Sequence, residues 1–190
     1  MLALQLSSGD LVTDRRASYA EMLFGAGDLS AAADLMREAL QLAPGWTAGW
    51  FRLGEMMDDA GRHAEAADAW REALRLDPSD RLGAALKLAA AGHLSAPAVP
   101  SIAFVEALFD QYADDFDAAL VERLNYRVPE LLAAALVKAA PSGFAHMVDL
   151  GCGTGLLAER LAGRASFMEG VDISAGMLRR ADAKGVYGRL

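Results

Sequence analysis

Cysteine is almost missing from this chain: Cys152 is the one thiol in 190 residues. That excludes an internal disulfide framework and suits a reducing compartment, so a cytoplasmic location is expected. Histidine is sparse too. His63, His93 and His146 are scattered, and no Cys/His cluster has zinc-ligand spacing. The acidic pairs Asp58-Asp59 and Asp114-Asp115 read as solvated helix ends, so no metal site is expected. Basic residues are outnumbered, 18 against 26 acidic, for a net charge of -8. That balance argues against a nucleic-acid partner, whose phosphates need a basic face. The apolar stretches are short and broken by charge, so no membrane span is expected. Residues 1–10 lack the positive n-region and cleavage site of a signal peptide. What is present is apolar material, 54% of residues, enough for the packed cores of one large domain or two small ones.

Self-similarity organises the first half. Shifted by 34 residues, Gly27 to Pro44 falls on Gly61 to Pro78, and ten of the eighteen positions are identical. The shared positions include Gly27/Gly61, Ala32/Ala66, Arg37/Arg71, Ala39/Ala73 and Pro44/Pro78. Small residues at 20, 32, 54 and 66 let antiparallel helices approach closely, with Met36 and Trp70 filling the space above them. Gly27 and Gly61 end the first helix of each pair, where a left-handed residue is needed. Pro44 and Pro78 open the next connection. The spacing predicts helices over 13–26, 30–42, 47–60, 64–76 and 81–92. The period and these residues resemble the tetratricopeptide repeat. The second unit (Trp50, Leu53, Gly54, Gly61, Ala66, Trp70, Ala73 and Pro78) resembles it more closely than the first, where Arg16 replaces a tryptophan and Ala20 a glycine. Two repeats fall short of the roughly three that a solenoid needs alone, so the helix at 81–92 and the next domain are expected to complete the packing.

Residues 91–100, rich in Ala, Gly, Ser and Pro, read as a linker. The expected domains are 1–92 for the repeats with a capping helix, 93–100 for the linker, and 101–190 for a second domain. Within the latter, helices are predicted at 101–112, with Ser101 as cap, at 116–124, and from Pro129 to about 140. A short buried strand at 145–150, a helix at 155–162, a strand at 167–172 and a helix at 175–184 follow. Residues 186–190 look like the approach to a third strand.

The chemistry sits in Met147-Val148-Asp149-Leu150-Gly151-Cys152-Gly153-Thr154-Gly155, an apolar run ending in an acid and followed by alternate glycines. Met168-Glu169-Gly170-Val171-Asp172-Ile173-Ser174 supplies a second run ending in an acid, 23 residues after Asp149. Glycines between strand and helix let backbone amides meet a ligand and aim a helix N-terminus at it. An acid ending the next strand suits a ribose.

Together these motifs resemble the N-terminal half of a class I S-adenosylmethionine-dependent methyltransferase. Val148 to Gly155 resembles that family's first motif. Gly170-Val171-Asp172-Ile173-Ser174 with Met177-Leu178 resembles the second, and Phe109 to Asp117 is similar to its helical lead-in. Repeats ahead of such a domain resemble a bacterial group of methyltransferases. The implied fold is an α-helical repeat domain followed by the first half of an α/β Rossmann-like class I domain.

The implied cofactor is S-adenosylmethionine. The resemblance gives Asp172 both ribose hydroxyls, and puts Gly151, Gly153 and Gly155 along the methionine and ribose portions. It gives Asp149 the ligand's ammonium, and sets Ile173 and Met177 beside the adenine. Tyr112 is expected to close over the methionyl end, its ring facing the sulfonium. Cys152, with no histidine near it in sequence, is expected to fill the cofactor turn rather than act as a nucleophile. No catalytic base is assignable, and the methyl acceptor, a small molecule or a protein, is open. The repeats are expected to bind a protein or to dock. Two other readings remain at this stage: an interaction module with a vestigial nucleotide fold, and a nicotinamide-dependent oxidoreductase. The class I fold implies a seven-stranded sheet, of which only strands 1 and 2 are expected here. The chain is therefore expected to be C-terminally incomplete, frayed in its second half and without appreciable turnover.

Overall fold

The computed structural model describes residues 7–95 and 99–190. The expectations for residues 1–6, and for the part of the linker at 96–98, lie outside the described residues. The chain divides into two compact units, Met1–Phe104 and Val105–Leu190.

The first unit is a stack of antiparallel helices: α1 (Leu11–Gly25), α2 (Leu29–Leu42), α3 (Thr47–Asp59), α4 (His63–Leu76) and α5 (Ala84–Ala90). Each helix packs on its neighbour in sequence. Asp10 caps α1 through the Thr13 amide, and Asp28 caps α2 through the Ala31 amide. Gly27 and Gly61 both adopt positive φ, at 86° and 75°, and turn the chain inside each pair. Small residues set the helix spacing as the repeat implies. Ala20, Ala32, Ala33, Ala66 and Ala67 are fully buried beneath Met36 and Trp70. A Cβ on Gly54 would lie 2.3 Å from Trp70 Nε1, so only glycine admits the indole there. Gly49 makes the same room for the Trp46 ring, with a Cβ 2.2 Å from its Cε3. Trp46 and Trp50 pack at the margin of this core, and Trp50 Nε1 donates to the Pro44 carbonyl at 2.8 Å.

Ion pairs tie the repeats across the helices. Arg52 grips Glu21 through two bonds, 2.7 and 2.8 Å, with its guanidinium 4.6 Å above the Phe24 ring. Arg62 reaches Asp34 at 2.7 Å, and Arg37 pairs with Glu65.

The helix expected over 81–92 is shorter. Asp80 (φ 54°) and Gly83 (φ 79°) form a turn, and the Asp80 carboxylate then accepts from the Ala84 and Ala85 amides at 2.6 and 3.1 Å. The turn delays the start of α5 to Ala84.

The second unit opens with α6 (Ile102–Tyr112), within which the division of the units falls. Ser101 Oγ accepts from the Phe104 amide at 3.0 Å, as its capping role requires. The helix expected at 116–124 is instead a wider π-turn, Ala118–Arg123, closed by the Leu124 amide on the Ala119 carbonyl at 3.2 Å. Then come α7 (Val128–Ala139), with Pro129 in its first turn, β1 (Phe144–Leu150), α8 (Leu156–Arg160), β2 (Ala165–Val171) and α9 (Ala175–Ala183). β1 and β2 pair in parallel, with Asp149 opposite Gly170. Ala133, Ala158, Leu161 and Met168 form a small core against α7 and α8.

One expectation needs correction. β1 is not buried: Leu150 is 79% exposed and Val148 on the same face 52%, since helices cover only the opposite face. The segment that looked like the approach to a third strand pairs with the far edge of β2. Arg189 forms a parallel bridge to Glu169, and the Gly188 and Gly170 amides bond the Met168 and Arg189 carbonyls at 2.8 and 2.9 Å. The order starts as β1, β2 and a third backbone segment, so β2 lies between two partners. Among the described residues, no helix is long and apolar enough to cross a membrane.

Candidate functional site

The turn after β1 needs its glycines. Gly151, Gly153 and Gly155 have φ of 73°, 54° and 87°, all in the left-handed region. Gly151 and Cys152 donate to the Val171 carbonyl at 2.7 and 3.0 Å, which pins the turn against the end of β2. Gly155 then starts α8.

Asp172 lies one residue past β2. Its Oδ2 accepts from the Gly153 amide at 2.8 Å and its Oδ1 from the Ser174 amide at 2.9 Å. The second acid is thus locked to the glycine turn by backbone donors. A carboxylate offers about four acceptor sites, so each oxygen keeps capacity for a further donor. Ser174 in turn caps α9 through the Met177 amide at 3.0 Å.

Asp149, at the end of β1, accepts from the Tyr187 hydroxyl at 2.7 Å. Burial first, and this carboxylate second, push the Tyr187 phenol well above its ordinary range. Cys152 is 6% exposed. Burial, reinforced by Asp172 and Asp149, pushes its thiol up to about 11. A thiol held neutral at physiological pH is no nucleophile, which agrees with a filling role.

A cavity of about 720 Å³ opens over this turn. Asp149, Gly151, Cys152, Gly153, Asp172, Ile173 and Met177 line it together. Two of the residues singled out from sequence do not. Gly155 lies beneath the turn, where a Cβ would come 3.1 Å from Tyr187 Cε2. Tyr112 stands away from the wall with 55% of its surface exposed. The aromatic rings that do line the cavity are Phe109, Phe116 and Tyr126, from the lead-in and the π-turn segment. Among the lining residues there is no Arg, Lys or His, while Asp149 and Asp172 are both acids.

The lead-in is fastened to this site by Asp110 and Asp117, which sequence reading did not single out, and by Asp114, read there as part of a solvated helix end. Asp110 Oδ1 accepts from the Ser174 hydroxyl at 2.5 Å and from the Gly176 amide at 2.8 Å. Asp114 accepts from Arg180 at 2.6 Å. Asp117 accepts from the Thr154 hydroxyl, inside the glycine turn, and from Lys184 Nζ at 2.7 Å. Lys184 also reaches Glu159 at 2.8 Å. Its burial opposes the charge, but the bonds to Asp117 and Glu159 outweigh that and raise its pKa. The acids at i, i+4 and i+7 of the Phe109–Asp117 stretch were the available signal, since that spacing lines one side of a helix.

The chain thus combines a helical-repeat unit with a partial Rossmann-like unit, in which a glycine turn follows β1 and acids stand near the ends of two parallel strands, Asp149 in β1 and Asp172 just past β2. Residues 147–188 match the family described as a methyltransferase domain, and residues 47–80 match the tetratricopeptide repeat. The chain is 38% identical over 99 residues to methyltransferase-like protein 27 of Homo sapiens, half of this chain and 40% of that protein. It is 47% identical over 51 residues to uncharacterized methyltransferases of Mycobacterium tuberculosis and Mycobacterium bovis, covering 27% of this chain and 26% of theirs. It therefore spans less than half the length of these curated relatives. These matches support a tetratricopeptide repeat and a methyltransferase domain within this chain.

Proposed function

We propose that residues 101–190 bind S-adenosylmethionine and serve its methyl transfer to an acceptor, with the repeats at 1–92 as a protein-interaction or docking module. The observation that carries this reading is the Asp172 carboxylate, fixed against the Gly153 amide at 2.8 Å on the cavity wall. Asp172 accepts hydrogen bonds from both ribose hydroxyls. Gly151 and Gly153 leave the backbone bare beside the ligand, with Cys152 packed behind them and Gly155 shaping the turn from below. Ile173 and Met177 flank the adenine. Asp149 faces the ammonium. Tyr126, Phe109 and Phe116 take the place first assigned to Tyr112 over the open side.

The cavity's charge favours this ligand over a dinucleotide. Two acids without a cation among the lining residues suit a ligand bearing an ammonium and a sulfonium, and oppose a pyrophosphate. Bound S-adenosylmethionine supplies a methyl on a positively charged sulfur, which an acceptor nucleophile displaces at carbon. The chain's part is to orient the ligand and exclude water on the turn side. From the exposed Val148 and Leu150 on one face of β1 we infer that the 190-residue chain alone turns over negligibly. The buried reduced thiol of Cys152 fits a cytoplasmic setting.

Calorimetry on the full chain tests the assignment. S-adenosylmethionine should bind, and Asp172→Ala should weaken it at least about tenfold, because a charged acceptor of two hydroxyls is lost. Undiminished binding by the variant would remove Asp172 from the site. Binding of NAD in place of S-adenosylmethionine would overturn the ligand itself.

A further inference from the structure

Tyr187 lies in the segment after α9 and takes no part in the cavity wall. Its ring is seated between two glycines. A Cβ on Gly155 would meet its Cε2 at 3.1 Å, and a Cβ on Gly170 its Cε1 at 3.0 Å. From that seat its hydroxyl reaches through to Asp149 Oδ2 at 2.7 Å, while Asp149 itself lines the cavity. We infer that Tyr187 is a positioning residue: from behind the turn it holds the Asp149 carboxylate in the orientation that presents its other oxygen to the ammonium of the ligand's amino-acid tail. This rests on the proposed S-adenosylmethionine site.

Burial and the neighbouring carboxylate keep the phenol protonated, so it donates at any physiological pH. An aspartate carboxylate near the end of a strand rotates about two bonds. One fixed donor removes that freedom before ligand arrives, so less ordering is left to offset binding. The glycines at 155 and 170 are thereby explained as a seat for the ring, a packing role separate from ligand contact.

The test compares two ligands on the full 190-residue chain. S-adenosylhomocysteine carries the amino-acid tail, and 5′-methylthioadenosine carries the same nucleoside without it. Calorimetry is run on wild type, Tyr187→Phe, Asp149→Ala and the double variant, with melting temperatures as a check on folding. Tyr187→Phe should weaken S-adenosylhomocysteine about tenfold and leave 5′-methylthioadenosine within about twofold, and the double variant should bind no worse than Asp149→Ala. A merely structural tyrosine would weaken both ligands alike. That equal loss, or no loss, overturns the inference while leaving the donor site standing. If Tyr187→Phe does not fold, Asp149→Ala decides: it must weaken the tailed ligand selectively, and equal loss overturns the inference. If wild type binds neither ligand, the donor-site reading fails and this inference with it.

Discussion

At the scale of single residues, the site depends on left-handed backbone positions that favour glycine. Gly153 has φ 54° and its amide bonds Asp172. Gly153→Ala should cost about 1–2 kcal/mol in backbone strain and loosen that contact, seen as a lower melting temperature together with weaker S-adenosylmethionine binding. Cys152 gives the opposite expectation. Its thiol, pushed up to about 11 chiefly by burial, should resist alkylation at neutral pH, and Cys152→Ser should keep most ligand affinity. Rapid modification of the native chain would contradict the burial seen here. Much of this was legible from sequence, because alternate glycines after an acid have few other uses. Tyr187 was not. A tyrosine 38 positions from Asp149 carries no local pattern, and only the fold brings its hydroxyl there. Tyr112 shows the converse. Its place in a family-like lead-in suggested the pocket, yet Phe109 and Phe116 from that lead-in are the rings on the wall.

At the scale of elements, the repeat helices were readable to within about two residues, since a 34-residue period marks each start and stop twice. The exceptions lie where a side chain competes with the helix. Asp80 holds the Ala84 and Ala85 amides and shortens the capping helix, and the Ala118–Arg123 stretch widens to a π-turn. Periodicity reports the apolar face, and neither local hydrogen bond leaves a trace in it. Two predictions belong here. Gly54→Ala would drive a methyl into Trp70 and should destabilise the repeat unit by about 1–3 kcal/mol, read from tryptophan fluorescence during melting. Lys184→Met removes the cation that joins Asp117 to Glu159 while keeping a long apolar stem. It should release the lead-in from the glycine turn, measured as faster amide exchange at Thr154, with little change in the first unit.

At the scale of the whole chain, the two units hold their charge differently. Most cross-helix pairs of the first unit use arginine, as in Arg52–Glu21, Arg62–Asp34 and Arg37–Glu65, with Lys87–Glu55 the lysine pair among them. The second unit contains Cys152, Tyr187 and Lys184, all with pKa raised in the folded state. A raised folded pKa means that folding binds the proton more tightly. The stability is therefore whole below the unfolded pKa and declines as pH climbs towards the folded value. For Cys152 that window runs from 9.0 to about 11, and the phenol and the ammonium extend it upward. Arginine does not titrate there. Raising the pH from 9.0 should thus melt the second unit first, and its far-UV signal should fall before the fluorescence of Trp46, Trp50 and Trp70, which all lie in the first. Simultaneous loss of both signals would contradict this difference. Composition hinted at none of it, because raised values come from burial, which only the folded chain defines.

The central claim is that the glycine turn and Asp172 together receive S-adenosylmethionine. Its most direct measurement is a nuclear magnetic resonance titration of the chain, isotope-labelled at glycine, with S-adenosylhomocysteine. The amides of Gly151 and Gly153 should shift saturably while those of Gly27 and Gly61 in the repeats stay fixed, and Asp172→Ala should move the midpoint of those shifts to at least about tenfold more ligand. Unmoved turn glycines at saturating ligand, or an unchanged midpoint in the variant, would contradict it.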